Sequence, residues 1–213
     1  MSGIALLVIA KQPIAGRVKT RLCPPCTHQQ AAALAAAALL DTLKVVARTP
    51  AARRVLVFDG DPGRWRPHGF ELIAQRGDGL GERLAAAFED VGGPALLVGM
   101  DTPQLSTELL LDGLAALTRP DVDAVLGPAL DGGYWSIGLK DTEPRGVFEG
   151  VPMSEPGTCV AQQERLASLG LAVYEQRPLR DIDTFEDAQA VAAEAPTTRF
   201  AATLDHVVVP IAA

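Results

Sequence analysis

Two hydrophobic periods alternate along this chain, and few folds satisfy both. Short, almost wholly apolar runs are followed by longer runs whose apolar residues recur at helical spacing. The first short run is Ile4–Ala10, and the first long one is His28–Ala47, which is rich in alanine between residues 31 and 39. Further strand candidates are Val55–Phe58, Glu71–Ala74, Ala95–Met100, Ala124–Leu126, Tyr134–Leu139 and Leu171–Glu175. Further helix candidates are Leu80–Val91, Thr107–Leu117, Gly157–Leu169 and Phe185–Ala193. Strands that are apolar on both faces need cover on both faces, so the pattern predicts an α/β fold with a mostly parallel sheet between helices. At 213 residues the chain suits one such domain. Residues 1–195 are expected to form it. Residues 196–213 read as a less regular tail, in which His206–Ile211 is an edge strand or a subunit contact, leaving a homodimer open.

The chain carries a net charge of −7, which argues against a nucleic-acid partner, because such domains are usually basic. No apolar stretch reads as long enough for a membrane span. The amino-terminal run lacks a basic segment before it and is read as a strand rather than a signal peptide, which suggests a cytoplasmic protein. Cys23-Pro24-Pro25-Cys26 has the C-x-x-C spacing of redox and zinc sites, but only Cys159 and three histidines remain as further soft ligands. Two incidental thiols in a proline-rich turn are the preferred reading.

Against the acidic background, Lys11–Leu22 (KQPIAGRVKTRL) gathers Lys11, Arg17, Lys19 and Arg21 around Gly16, with no acid among them. A glycine lets backbone N–H groups approach a ligand, and cations suit a polyphosphate rich in acceptor oxygens. The loop is neither a Walker A motif nor G-x-G-x-x-G. A bare basic turn is the competing explanation. The loop's position at the end of the first strand favours a nucleotide site, because ligands of open α/β sheets sit at carboxyl strand ends.

A polyphosphate calls for a divalent cation, Mg²⁺ or Mn²⁺, held on carboxylates. Asp101 directly follows the run Ala95–Met100, at the same predicted sheet edge as the basic loop, and Pro103 stiffens its turn. Asp121 and Asp123 precede a strand and fall at the opposite edge. Asp59 and Asp61 form a D-x-D pair better explained as a turn. Near the carboxyl end, Asp181 and Asp183 precede Thr184, which reads as a helix N-cap with Asp187 three residues on. Capping accounts for Glu186 and Asp187 but not for Asp183, so Asp101 and Asp183 are the expected metal pair. In Gly127–Trp135 the adjacent Gly132 and Gly133 leave room for a ligand to approach the backbone, and Asp131 is a candidate acceptor for sugar hydroxyls. Tyr134 and Trp135 point to opposite faces, so at most one lines a pocket; a hairpin turn followed by a core aromatic is the competing explanation, preferred for Trp135. Gln75–Arg83 is a second glycine-rich turn leading into a helix, whose N-terminus offers N–H groups to an anion or a backbone surface that reads a base edge.

Five motifs in order, A-K-x-P-x-x-G-x-V-K-T-R-L, Q-x-G-x-G-L-G-x-R, G-x-D-x-P-x-L, G-P-A-x-D-G-G-Y and D-I-D-T-x-E-D, resemble the bacterial glycosyltransferase-A-like proteins grouped as DUF2064. That group lies in the nucleotide-diphospho-sugar transferase superfamily, whose relatives include 2-phospholactate guanylyltransferase and molybdenum-cofactor nucleotidyltransferases. The resemblance spans about residues 4–195. It implies a three-layer Rossmann-like sheet of the GT-A kind, with nucleotide over the strand ends and a divalent metal. It also implies phosphate binding by Gly16, Lys19 and Arg21, metal binding by Asp101 and Asp183, a base-side turn at Gln75, Gly79 and Gly81, and an acceptor or sugar segment at 131–134. Two departures are Met153-Ser154-Glu155-Pro156, where relatives often carry a Trp and a small hydroxyl residue, and Cys26, where they usually have an apolar residue.

The expected chemistry is metal-dependent transfer from a nucleotide-activated donor to a small-molecule acceptor. Mg²⁺ or Mn²⁺ on Asp101 and Asp183 would stabilise the departing diphosphate, Lys19 and Arg21 would add positive charge there, and Asp131 would orient the acceptor or act as base. Glycosyl transfer is slightly favoured on the family's classification. Nucleotidyl transfer, in which a phosphorylated acceptor attacks a triphosphate and releases pyrophosphate, is a close rival that the crowded cations favour. A nucleotide-binding protein without turnover is the third reading.

Overall fold

The computed structural model describes residues 3–140 and 144–207. Its strands are β1 (Ala5–Lys11), β2 (Arg53–Asp59), β3 (Glu71–Ala74), β4 (Ala95–Val98), β5 (Ala124–Pro128), β6 (Tyr134–Leu139) and β7 (Val173–Glu175). Its helices are α1 (His28–Arg48), α2 (Leu80–Val91), α3 (Thr107–Ala116), α4 (Pro144–Phe148), α5 (Thr158–Ser168), α6 (Phe185–Glu194) and α7 (Arg199–Asp205). The strands form one sheet in the order β3-β2-β1-β4-β6-β5-β7. Neighbours pair in parallel except β6, which runs antiparallel to both β4 and β5. The expected α/β class with a mostly parallel sheet and helices on both faces is what forms.

β1 illustrates why. Leu6, Val8 and Ala10 point into one core cluster, with Leu39, Leu43 and Val46 of α1 and Leu110 and Leu114 of α3. Ala5 and Leu7 point into a second, with Leu84 and Phe88 of α2, Phe148 of α4 and Leu166 of α5. Alternate residues of one strand thus feed two helical layers. Burying a leucine on each face contributes about 2 kcal/mol apiece.

α1 starts at a capping box in which Thr27 and Gln30 satisfy each other's backbone N–H groups. It is 21 residues long and contains an 18-residue stretch with a mean hydropathy of 1.5, so by length and composition it could cross a membrane, contrary to the expectation from sequence. The alanine run is what raises its hydropathy, and the structure spends those small side chains on packing. One stripe meets the sheet, and a second (Ala31, Leu34, Ala38) meets Val191 of α6 and Phe200 of α7 in a third cluster. α7 replaces the irregular tail read from sequence. It is capped by Thr198, and the buried Asp41 of α1 accepts from the N–H groups of Arg199 (3.1 Å) and Phe200 (2.8 Å). Of the patch His206–Ile211, His206 and Val207 close this helix, and residues 208–211 lie outside the described residues.

Candidate active site

The carboxyl ends of the parallel strands and the amino end of β6 form one rim. A cleft of about 750 Å³ opens there. β1 hands its chain at Lys11 to the basic loop, which turns at Gly16 (φ +79°) and continues into a short 3-10 turn at Thr20–Leu22. Val18 and Leu22 are buried, so the loop is anchored by its apolar members while its cations stay near the rim. Lys11, Lys19 and Arg21 line the cleft. Arg17 and Gly16 are exposed and do not.

Lys19 reaches inward. Its ammonium lies 2.9 Å from Asp101 Oδ2 and 3.7 Å from Asp183 Oδ1, and it donates to the carbonyl of Ile182. Burial alone would push this ammonium down, but the charge and hydrogen bond of Asp101, with Asp183 and Asp181 behind, hold it above its ordinary value. Arg21 donates to Asp183 Oδ2 at 2.9 Å. Asp101 follows β4 closely, and the Ile182 N–H donates to its carbonyl at 3.3 Å, tying the two acidic loops together. The two aspartates expected to cooperate, 82 positions apart in the numbering, therefore share one lysine.

Sequence reasoning passed over Asp181. One of its carboxylate oxygens, Oδ1, is enclosed and has no hydrogen-bond partner among the described residues. Burial, with Asp101 and further acids and against the pull of Lys19, pushes its carboxyl up to about 7. D-I-D gave the signal that two acids flank a buried isoleucine, but not which of them burial would enclose. Oxygen donors of this kind suit a hard divalent cation, and an orphaned buried carboxylate oxygen is the observation that speaks for one. No group of three or more His, Cys, Asp or Glu side chains among the described residues is gathered closely enough to hold a metal by itself.

Other expected residues serve the chain's own geometry as well. The Gln75 amide donates to the carbonyls of Ala10 (2.7 Å) and Val57 (3.2 Å) and accepts from Arg83 at 3.3 Å. Arg83 in turn meets Asp59 at 3.0 Å, which accounts for one member of the D-x-D pair. Asp61 accepts from Gly63 N–H, the turn expected for the other. Gly79 caps α2, and a Cβ on Gly81 would stand 3.4 Å from Met153 Cε. Both glycines support the helix start rather than line the cleft. Asp131 Oδ1 accepts from Gly133 N–H at 2.9 Å. Gly132, read as room for a ligand, is required by the chain itself: a Cβ there would fall 1.8 Å from the Pro156 carbonyl oxygen. Tyr134 and Trp135 point to opposite faces, as expected. The Tyr134 hydroxyl approaches Gln162 Oε1 at 3.3 Å, and burial drives its phenol up. Trp135 sits in the core and donates to the Arg177 carbonyl at 3.2 Å. Cys26 is buried, and burial pushes its thiol up, away from the thiolate a redox site needs.

Solved structures with this fold are found in organisms well apart. A protein of Desulfovibrio desulfuricans, described as a candidate nucleotide-diphospho-sugar transferase, superposes with a TM-score of 0.85 at 29% identity, covering 96% of this chain and 95% of that one. CMP:2-keto-3-deoxy-manno-octonic acid synthetase complexed with CTP gives a TM-score of 0.61 at 12% identity, covering 90% and 98%. Rv0371c of Mycobacterium tuberculosis, in complex with manganese, gives 0.56 at 20% identity, covering 89% and 97%. The last two identities speak to the fold alone. No curated protein sequence matches the chain. A family model described as "Uncharacterized protein conserved in bacteria (DUF2064)" matches residues 31–155. With more than half its length under that model, the chain belongs to the DUF2064 family.

Proposed function

We propose that this protein is a metal-dependent transferase acting on a nucleotide-activated donor bound in the rim cleft. The observation that carries the reading is the convergence of Lys19, Asp101 and Asp183 from three distant segments. A Mg²⁺ or Mn²⁺ ion held by Asp101 and Asp183 would offset the charge of the donor's phosphates and of the leaving diphosphate. Lys11, Lys19 and Arg21 bind and orient those phosphates, and the turn at Gln75–Gly81 holds the base side. The description of the Desulfovibrio relative, the CTP in the synthetase and the manganese in the mycobacterial protein support the reading.

Of the two chemistries, we favour nucleotidyl transfer, reversing the slight preference drawn from sequence. Glycosyl transfer to a hydroxyl needs a positioned base. Asp131, the base candidate, spends one carboxylate oxygen on its own turn. A phosphorylated acceptor is already ionised near neutral pH and needs no base. Glycosyl transfer keeps one specific support, Asp131 among the residues lining the cleft. Calorimetry with GTP, CTP, UTP, UDP-glucose and GDP-mannose, with and without Mg²⁺, followed by product analysis, separates them. Metal-dependent triphosphate binding with pyrophosphate release is the expected outcome. Sugar-nucleotide binding with release of a nucleoside diphosphate selects glycosyl transfer. Nucleotide binding with neither product leaves a binding protein.

A further inference from the structure

Lys19 is placed in a way that phosphate binding alone does not explain. Its backbone is left-handed (φ 47°, ψ 38°), a region that costs a side-chain-bearing residue energy. Its side chain is only 10% exposed. The ammonium has three donors; Asp101 Oδ2 and the Ile182 carbonyl take two of them, and Asp183 Oδ1 stands 3.7 Å away as an ionic neighbour. Two of the three donors are thus turned toward the chain itself rather than toward a ligand in the cleft. Asp181 lies within electrostatic reach of Lys19, Asp101 and Asp183, and its Oδ1 lacks a partner among the described residues. Arg21 meets the outer oxygen of Asp183, but the only cation among the described residues that reaches inward among these three acids is the Lys19 ammonium, and an enclosed acid oxygen without a partner is costly. The ammonium standing among these acids also accounts for their not being gathered tightly enough to hold an ion.

We infer that the Lys19 ammonium and a divalent cation compete for one oxygen cage made by Asp101, Asp181 and Asp183. This rests on the metal-site reading above and adds a third carboxylate and a competitor to it. When the divalent ion enters, Lys19 leaves the cage and its donors become available to the donor's phosphates. The cation and a polyphosphate therefore favour each other's binding, because the phosphates give the displaced ammonium a new partner.

The test is Mn²⁺ titration of the full chain without nucleotide, followed by electron paramagnetic resonance. Lys19→Met is expected to bind Mn²⁺ at least tenfold more tightly than the wild type. Lys19→Arg, which keeps the charge, is expected to stay near the wild type. Asp181→Asn is expected to weaken binding at least tenfold. Circular dichroism checks folding, and Lys19→Gln serves as a second neutral variant if the methionine does not fold. Equal or weaker Mn²⁺ binding by a folded neutral Lys19 variant, with the wild type binding, overturns the competition while leaving the metal reading intact. Unchanged affinity in Asp181→Asn overturns the three-carboxylate cage. Absence of Mn²⁺ binding in both the wild type and the neutral variants removes the metal reading, and this inference falls with it.

Discussion

Asp101 earns its place through position rather than pairing. It sits just beyond β4, whose neighbours β1 and β6 keep that strand central. Asp101→Asn is expected to lower turnover at least about a hundredfold, roughly 2.7 kcal/mol of transition-state stabilisation, with the thermal midpoint little changed. Steady-state assay beside a melting curve checks both. That Lys19, Asp101 and Asp183 meet at one edge of the sheet was legible in sequence because strand ends can be placed from apolar runs. The enclosure of Asp181 was not, because which of the two acids flanking Ile182 is enclosed depends on tertiary packing. Gly132 is similar: the sequence shows a glycine, and only the fold shows the Pro156 carbonyl against it. Gly132→Ala, also strained at φ +91°, is expected to destabilise the protein by about 2 kcal/mol or more, read by urea unfolding.

Among the elements, long helices with caps were easiest to read. α6 begins as Thr184 and Asp187 foretold, in a reciprocal capping box. Burial works against the Asp187 carboxylate, but hydrogen bonds from the Thr184 side chain and backbone and from Arg180 outweigh it and hold the carboxyl below its ordinary range. A carboxyl depressed in the folded state stabilises above its unfolded value, about 4, and the contribution is lost as pH falls through the folded value. Asp187→Asn is therefore expected to cost about 1 kcal/mol at pH 7, and the gap to the wild type should close on acidification. Chemical unfolding at several pH values measures it. The short α4 and α7 escaped the sequence reading because five and seven residues give too few turns for a helical period to stand out.

Across the whole molecule, the class of fold was readable because the first strand must be covered twice, while the strand order and the reversed β6 were not. Strand neighbours are set by contacts between distant segments, which hydrophobic periodicity does not encode. The same limit hid the docking of α7 on α1, where Phe200 is fully buried. Truncation after residue 195 would remove Phe200 and leave Asp41 without its two N–H donors. We expect that truncation to lower stability by about 3 kcal/mol or more, seen as a fall in the thermal midpoint, and Phe200→Ala to reproduce most of the loss.

The reversal of β6 has an evolutionary corollary. Because that strand enters the sheet head-down, the bend joining it to β5 opens onto the rim of the cleft, while ladders on both sides clamp the strand itself. On the proposed reading, variation at Leu130 and Asp131 in that bend would change which molecule is admitted, with Gly132 held against the Pro156 carbonyl and the lysine and aspartates across the cleft left in place.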